Sequence, residues 1–149
     1  MKSITTLFLL VVLSGCHPNE MEYSRKRLLE YESNGYSIVI NKTKTIKIKD
    51  LFLDKRAISK IEIDKERKVI NLTRKDTILN RVNLSTIADN SKPLENQLIL
   101  IDGIAVESND FETTAIEASA VKNVRVISDS VGNFRRYDKV YIFKTYDND

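Results

Sequence analysis

Two stretches of this chain carry the same succession of strand-forming segments, and that repetition limits the folds open to it more than any other feature. Ser37-Ile38-Val39-Ile40-Asn41 parallels Leu98-Ile99-Leu100-Ile101-Asp102. Ile58-Ser59-Lys60-Ile61-Glu62-Ile63 parallels Val121-Lys122-Asn123-Val124-Arg125-Val126, and residues 68–76 parallel residues 139–147. Order and rough spacing agree while identities are few, as two copies of one unit of about 50 residues would show.

Each segment has a physical reading. Ile61 and Ile63 fall on one face against Lys60 and Glu62 on the other, the alternation of a half-buried strand. Residues 65–68 are a charged turn leading into Val69-Ile70-Asn71-Leu72-Thr73, so the pair predicts a hairpin. Lys44 to Lys49 alternates through Ile46 and Ile48. Leu98 to Ile101 is apolar at every position, as a strand covered on both faces would be. Asp102-Gly103 predicts a turn, and Ile104-Ala105-Val106 a short returning strand. Asp110 is placed to cap a helix over residues 111–118 with Glu112 and Glu117 exposed. Strands Val121–Ile127 and Lys139–Lys144 follow, separated by a polar loop containing Gly132.

The expected fold is therefore α+β. It is a small strand-rich domain of two duplicated β-β-α-β-β units, residues 35–79 and 97–149. A linker, residues 80–96, contains Asn90-Ser91-Lys92-Pro93. Residues 16–34 read as a tether whose second half is a short helix stopped by Asn34-Gly35, with Arg25-Lys26-Arg27 as a solvated face.

The second unit resembles the plug domain of TonB-dependent outer-membrane receptors. The likeness rests on Leu98 to Gly103, on Ile116 to Val126, and on Gly132 followed by Lys139 to Thr145. It implies a small α/β plug-like unit in which a strand ending in Ile-Asp-Gly precedes a short helix. Where that family has a small-residue loop with Tyr-Gly, this chain has Ser130-Val131-Gly132-Asn133, and it is too short to hold the family's barrel.

The first fifteen residues predict an address. Lys2 supplies a positive start and Leu7 to Leu13 an apolar run, too short to span a bilayer at about 20 residues. Leu13-Ser14-Gly15-Cys16 resembles the bacterial lipobox. The resemblance implies cleavage between Gly15 and Cys16 and a lipid anchor (diacylglycerol and a fatty acid such as palmitate) on Cys16. Cys16 is the one cysteine of the chain, so it has no partner for an internal disulfide. His17 rather than aspartate follows it, which by the same resemblance favours the outer membrane, facing the periplasm.

The inventory of reactive groups excludes much chemistry. The one histidine is His17, beside the anchor, so Ser–His and Cys–His catalysis and a His/Cys zinc site lack their parts. Gly35, Gly103 and Gly132 are isolated, which leaves no phosphate-cradling loop. With 24 basic and 21 acidic side chains interleaved, no basic stripe calls for nucleic acid. Paired carboxylates are the one enzymatic route left, through Asp102, Glu107, Asp110, Glu112 and Glu117, although ordinary surface charge explains them more simply. Asp147-Asn148-Asp149 reads as a solvated end.

Arg135, Arg136, Tyr137, Tyr141 and Tyr146 have two readings. The tyrosines pack beside Phe143 and shield sheet edges, which is the commoner use, or they form with the arginines a docking patch of the kind enriched where proteins bind. The expectation is a non-enzymatic lipoprotein, without cofactor or metal, held by lipid on Cys16. It would bind an envelope protein as an accessory subunit. An inhibitor or immunity-type lipoprotein is the alternative, and a carboxylate-dependent hydrolase the third reading.

Overall fold

The computed structural model describes residues 19–128 and 136–148. The expected signal segment, Gly15, Cys16, His17, the loop around Gly132, Arg135 and Asp149 lie outside the described residues.

The protein is a strand-rich α+β domain built on an internal repeat. In the first half a hairpin of β2 (Ser37–Ile40) and β3 (Lys44–Ile46) is followed by a hairpin of β5 (Ile58–Asp64) and β6 (Val69–Arg74). β6 returns parallel to β2, giving the order β5-β6-β2-β3. In the second half β8 (Gln97–Ile101) and β9 (Ile104–Val106) form the first hairpin, β11 (Val121–Ser128) and β12 (Lys139–Thr145) the second. β12 returns parallel to β8 in the order β11-β12-β8-β9.

The likeness extends to single bonds. Asn41 and Asp102 both sit at positive φ, 49° and 52°, in tight turns whose next residues, Lys42 and Gly103, are also positive. That is the turn shape whose twist matches a hairpin, and it favours Asn, Asp and Gly. The Asn41 side chain accepts from the Arg74 N–H at 2.8 Å, as Asp102 accepts from the Thr145 N–H at 2.8 Å. Each half also carries one bulge at the same place, between Ile58 and Lys60 and between Val121 and Asn123.

The crossovers depart from the expected units. Residues 111–118 are not a helix. A 3-10 turn over Ser108–Asp110 leads to β10 (Ala115–Glu117), and the matching stretch of the first half holds β4 (Leu51–Phe52). Thr114, Ala115, Ile116 and Glu117 are buried in succession, which a surface helix with one solvated face cannot provide. Glu117, expected to be exposed, is buried. β4 pairs parallel with β10, and β10 pairs antiparallel with β7 (Arg81–Asn83), so a small three-stranded sheet joins the halves. Residues 80–96 thus contain a strand, and they place Leu84 and Ala88 in the second core.

The two apolar cores interlock. Ile38, Ile40, Ile61, Ile63, Ile70 and Leu72 form the first and take in Ala115 from the second half. Ile99, Ile101, Phe111, Tyr141 and Phe143 form the second and take in Phe52 from the first. Helix α1 (Arg25–Ser33) closes the first core with Leu28. Ser24 caps it by accepting from the Arg27 N–H, and it stops at Asn34, with Gly35 at φ +81° beyond, where the sequence predicts a stop. Ahead of it β1 (Asn19–Glu20) adds to the outer edge of β5.

Candidate functional site

Of the five residues read as a possible docking patch, Arg135 lies outside the described residues and the other four have different surroundings. Arg136 is exposed, its guanidinium 5.2 Å from the ring of the partly buried Tyr137. Tyr141 belongs to the second core at 6 % exposure, because it alternates with Phe143 on the inward face of β12 beside Ile99 and Ile101. Tyr146 lies under Arg56, whose guanidinium is 3.4 Å from its ring centre. The end of the chain is not a loose tail through Asn148: a 3-10 turn over Tyr146–Asn148 folds back, and the Asp147 N–H bonds Thr145.

The five acids do not converge either. Glu107, Asp110 and Glu112 are exposed. Asp102 is occupied with the Thr145 N–H and hydroxyl, and Glu117 is held by Arg74. Among the described residues no cluster of three acids, histidines or cysteines is placed to hold a metal ion.

Glu117 and Arg74 form instead the polar joint between the halves. Arg74 Nη1 and Nη2 donate to the two Glu117 oxygens at 3.0 and 2.5 Å, and the Asp54 N–H donates to Glu117 at 2.8 Å. Burial alone would lower the Arg74 pKa, but its bonds to Glu117 and Asp76 hold it above the ordinary value. Arg56 forks onto Asp54 at 2.9 and 3.0 Å, and against the pull of burial this keeps the Asp54 carboxyl below the usual range.

A cleft of about 440 Å³ opens between the start of α1 and the ends of β8 and β12, lined by Tyr23, Arg25, Phe52, Asp102, Ile104 and Asp147. Arg25, expected on a solvated face, lies 3.9 Å over the Phe52 ring and donates to the carbonyls of Ile48 and Lys49. Comparison with models of protein families, with curated proteins and with solved structures finds no match for this chain. The Tyr23 hydroxyl, Arg25 Nε and Asp147 Oδ1 are buried polar atoms of residues that line the cleft. Burial, reinforced by Asp147, pushes the Tyr23 phenol above its ordinary range.

Burial also raises Asp147, from 3.8 to about 6. Folding therefore favours its protonated form. The stability this contributes is complete below pH 4 and lost as pH rises through 6. Asp147→Asn is expected to leave the melting temperature unchanged at pH 4. At pH 7.5 it should raise it by about 3 °C, from roughly 1 kcal/mol once partial exposure is allowed for. Thermal melts at both pH values check this, and a lower melting point at pH 7.5 would contradict it.

The described surface carries four exposed large aliphatics, and two are neighbours on one strand: Val124 at 46 % and Val126 at 49 % on β11. Among the described residues, none of the helices is long and apolar enough to cross a membrane.

Proposed function

We propose that this protein is a lipid-anchored envelope lipoprotein that binds another protein and performs no chemistry of its own. Cys16 carries the anchor, and the folded domain, from Asn19 onward, presents the binding surface. Two acyl chains or more make such an anchor stable where one is marginal. The observation that supports a binding role is β11. Val124 and Val126 lie opposite Phe143 and Tyr141 in the register, so the apolar face of the second core runs out onto a strand whose outer edge no strand among the described residues covers. Asp102 and Glu117 serve as structural acceptors, which supports a binding role over a carboxylate hydrolase built on those two acids.

Two measurements test this reading. Cys16→Ser is expected to abolish fatty-acid labelling and move the protein from the membrane to the soluble fraction; a variant that is still labelled overturns the anchor. A cross-linked pull-down of the C-terminally tagged protein from its own membranes should recover a defined stoichiometric complex. Recovery of no protein partner overturns the binding role.

A further inference from the structure

The internal repeat supplies its own control for the surface of β11. The bulges and turns align Ile61 with Val124 and Ile63 with Val126. Ile61 and Ile63 are 2 % and 6 % exposed, whereas Val124 and Val126 are about half exposed. The difference lies in what covers each strand. On β5, the chain from Asn19 to Met21 adds an antiparallel strand, with Asn19 opposite Ile63, Glu20 opposite Glu62, and the Met21 N–H donating to the Ile61 carbonyl. Met21 and Tyr23 pack on the first core there, and Glu20 bridges to Lys60 at 3.0 Å. In the second half the corresponding short strand, β7, pairs with β10 instead. Among the described residues no strand lies on the outer edge of β11.

The charge of that edge differs as well. Arg125 stands where β5 has Glu62, and Lys122, 5.9 Å from the Tyr146 ring, stands in the bulge where β5 has Ser59. No acidic residue occurs from Val121 to Ser128. A second copy is a poor occupant. The antiparallel register that sets Val124 of one copy against Val126 of the other also sets Arg125 against Arg125, and like charges directly opposite are destabilising.

We propose that the outer edge of β11 accepts an extended acidic segment of the partner protein. The segment adds as an antiparallel strand, much as Asn19 to Met21 adds to β5. Apolar residues cover Val124 and Val126, and an acidic residue between them faces Arg125. Backbone bonds supply affinity in strand addition, and alternate side chains supply specificity. The inference rests on the protein-binding reading above and gives it a place and a partner chemistry.

The test uses the full chain in detergent and two end-blocked fluorescent heptapeptides, one alternating valine with glutamate and one alternating valine with lysine. The glutamate peptide is expected to bind at least ~10-fold more tightly at low salt and to slow hydrogen exchange of β11 amides. Arg125→Glu, at an exposed position, should invert the preference. Equal binding of both peptides, no protection of β11, or a preference that Arg125→Glu leaves unchanged overturns the proposal. So does concentration-dependent self-association that Val124→Lys abolishes, because the occupant is then a second copy. If the pull-down partner is still captured by Arg125→Glu, the docking edge falls while the binding role stands. If the glutamate peptide binds as expected but the membranes yield no partner, the edge chemistry stands and the binding role falls.

Discussion

Glu117→Ala is expected to lower the unfolding free energy by about 3–5 kcal/mol, the cost of leaving a buried charge without its partner. The Arg74 side chain is 1 % exposed and that of Glu117 2 %, so water cannot replace the lost carboxylate. Asp76 would remain on Arg74, but it is 55 % exposed and does not take over the oxygen that the Asp54 N–H also uses. For a domain whose total stability lies in the usual range of roughly 5–15 kcal/mol, the loss is a large fraction. Urea unfolding at pH 7 measures it. Removing both charges in Arg74→Met/Glu117→Leu should recover most of the loss, since a packed apolar pair avoids the desolvation penalty. A single variant costing under about 1 kcal/mol would show that the joint is solvated and that another contact holds the halves together.

Phe111→Ala should cost a similar amount, about 3–5 kcal/mol, through a different cause. Phe111 is fully buried in the second core, and its carbonyl accepts from the Ser85 N–H at 2.9 Å. The truncated ring leaves a cavity that its neighbours fill only partly, because they sit on paired strands. The cores share Phe52 and Ala115 across the joint, so unfolding should stay a single transition that moves to lower denaturant. Two separated transitions, with the first half unaffected, would contradict the interlocking.

Much of this architecture is legible before any coordinates. The β-branched, alternating or wholly apolar runs at Ser37–Ile40, Ile58–Asp64, Val69–Arg74, Gln97–Ile101, Val121–Ser128 and Lys139–Thr145 are strands, and the repeat they spell out is present. Asn34-Gly35 and Asp102-Gly103 mark a helix stop and a hairpin, because few residues adopt positive φ as readily as Gly, Asn and Asp. The strands that are not legible are β1, β4, β7 and β10. Two or three residues show no period of their own, and unlike β9, which the Asp102-Gly103 turn announces, each of these is a strand only through the neighbour it meets.

The candidate surface divides in the same way. Of the residues read as a cluster from the sequence, Arg135 lies outside the described residues and Arg136 stays beside Tyr137, while strand alternation turns Tyr141 inward and Arg56 covers Tyr146. Val124 and Val126 carry the same apolar signal as Ile61 and Ile63, and nothing local separates the two pairs. Their exposure depends on whether the preceding short strand pairs with the hairpin edge, as β1 does, or with the joint, as β7 does.

By itself, then, the sequence determined the local terms: which segments extend, where the chain turns, and that the pattern occurs twice. Those properties follow from residues a few positions apart, through side-chain branching, alternation and backbone freedom. Only the tertiary structure decided that Glu117 is buried, that Arg25 lies on Phe52, that Ala115–Glu117 form a strand, and that no strand among the described residues covers the outer edge of β11. Each of these depends on a partner far along the chain, and the desolvation and pairing energies that select it exist only once the two halves have met.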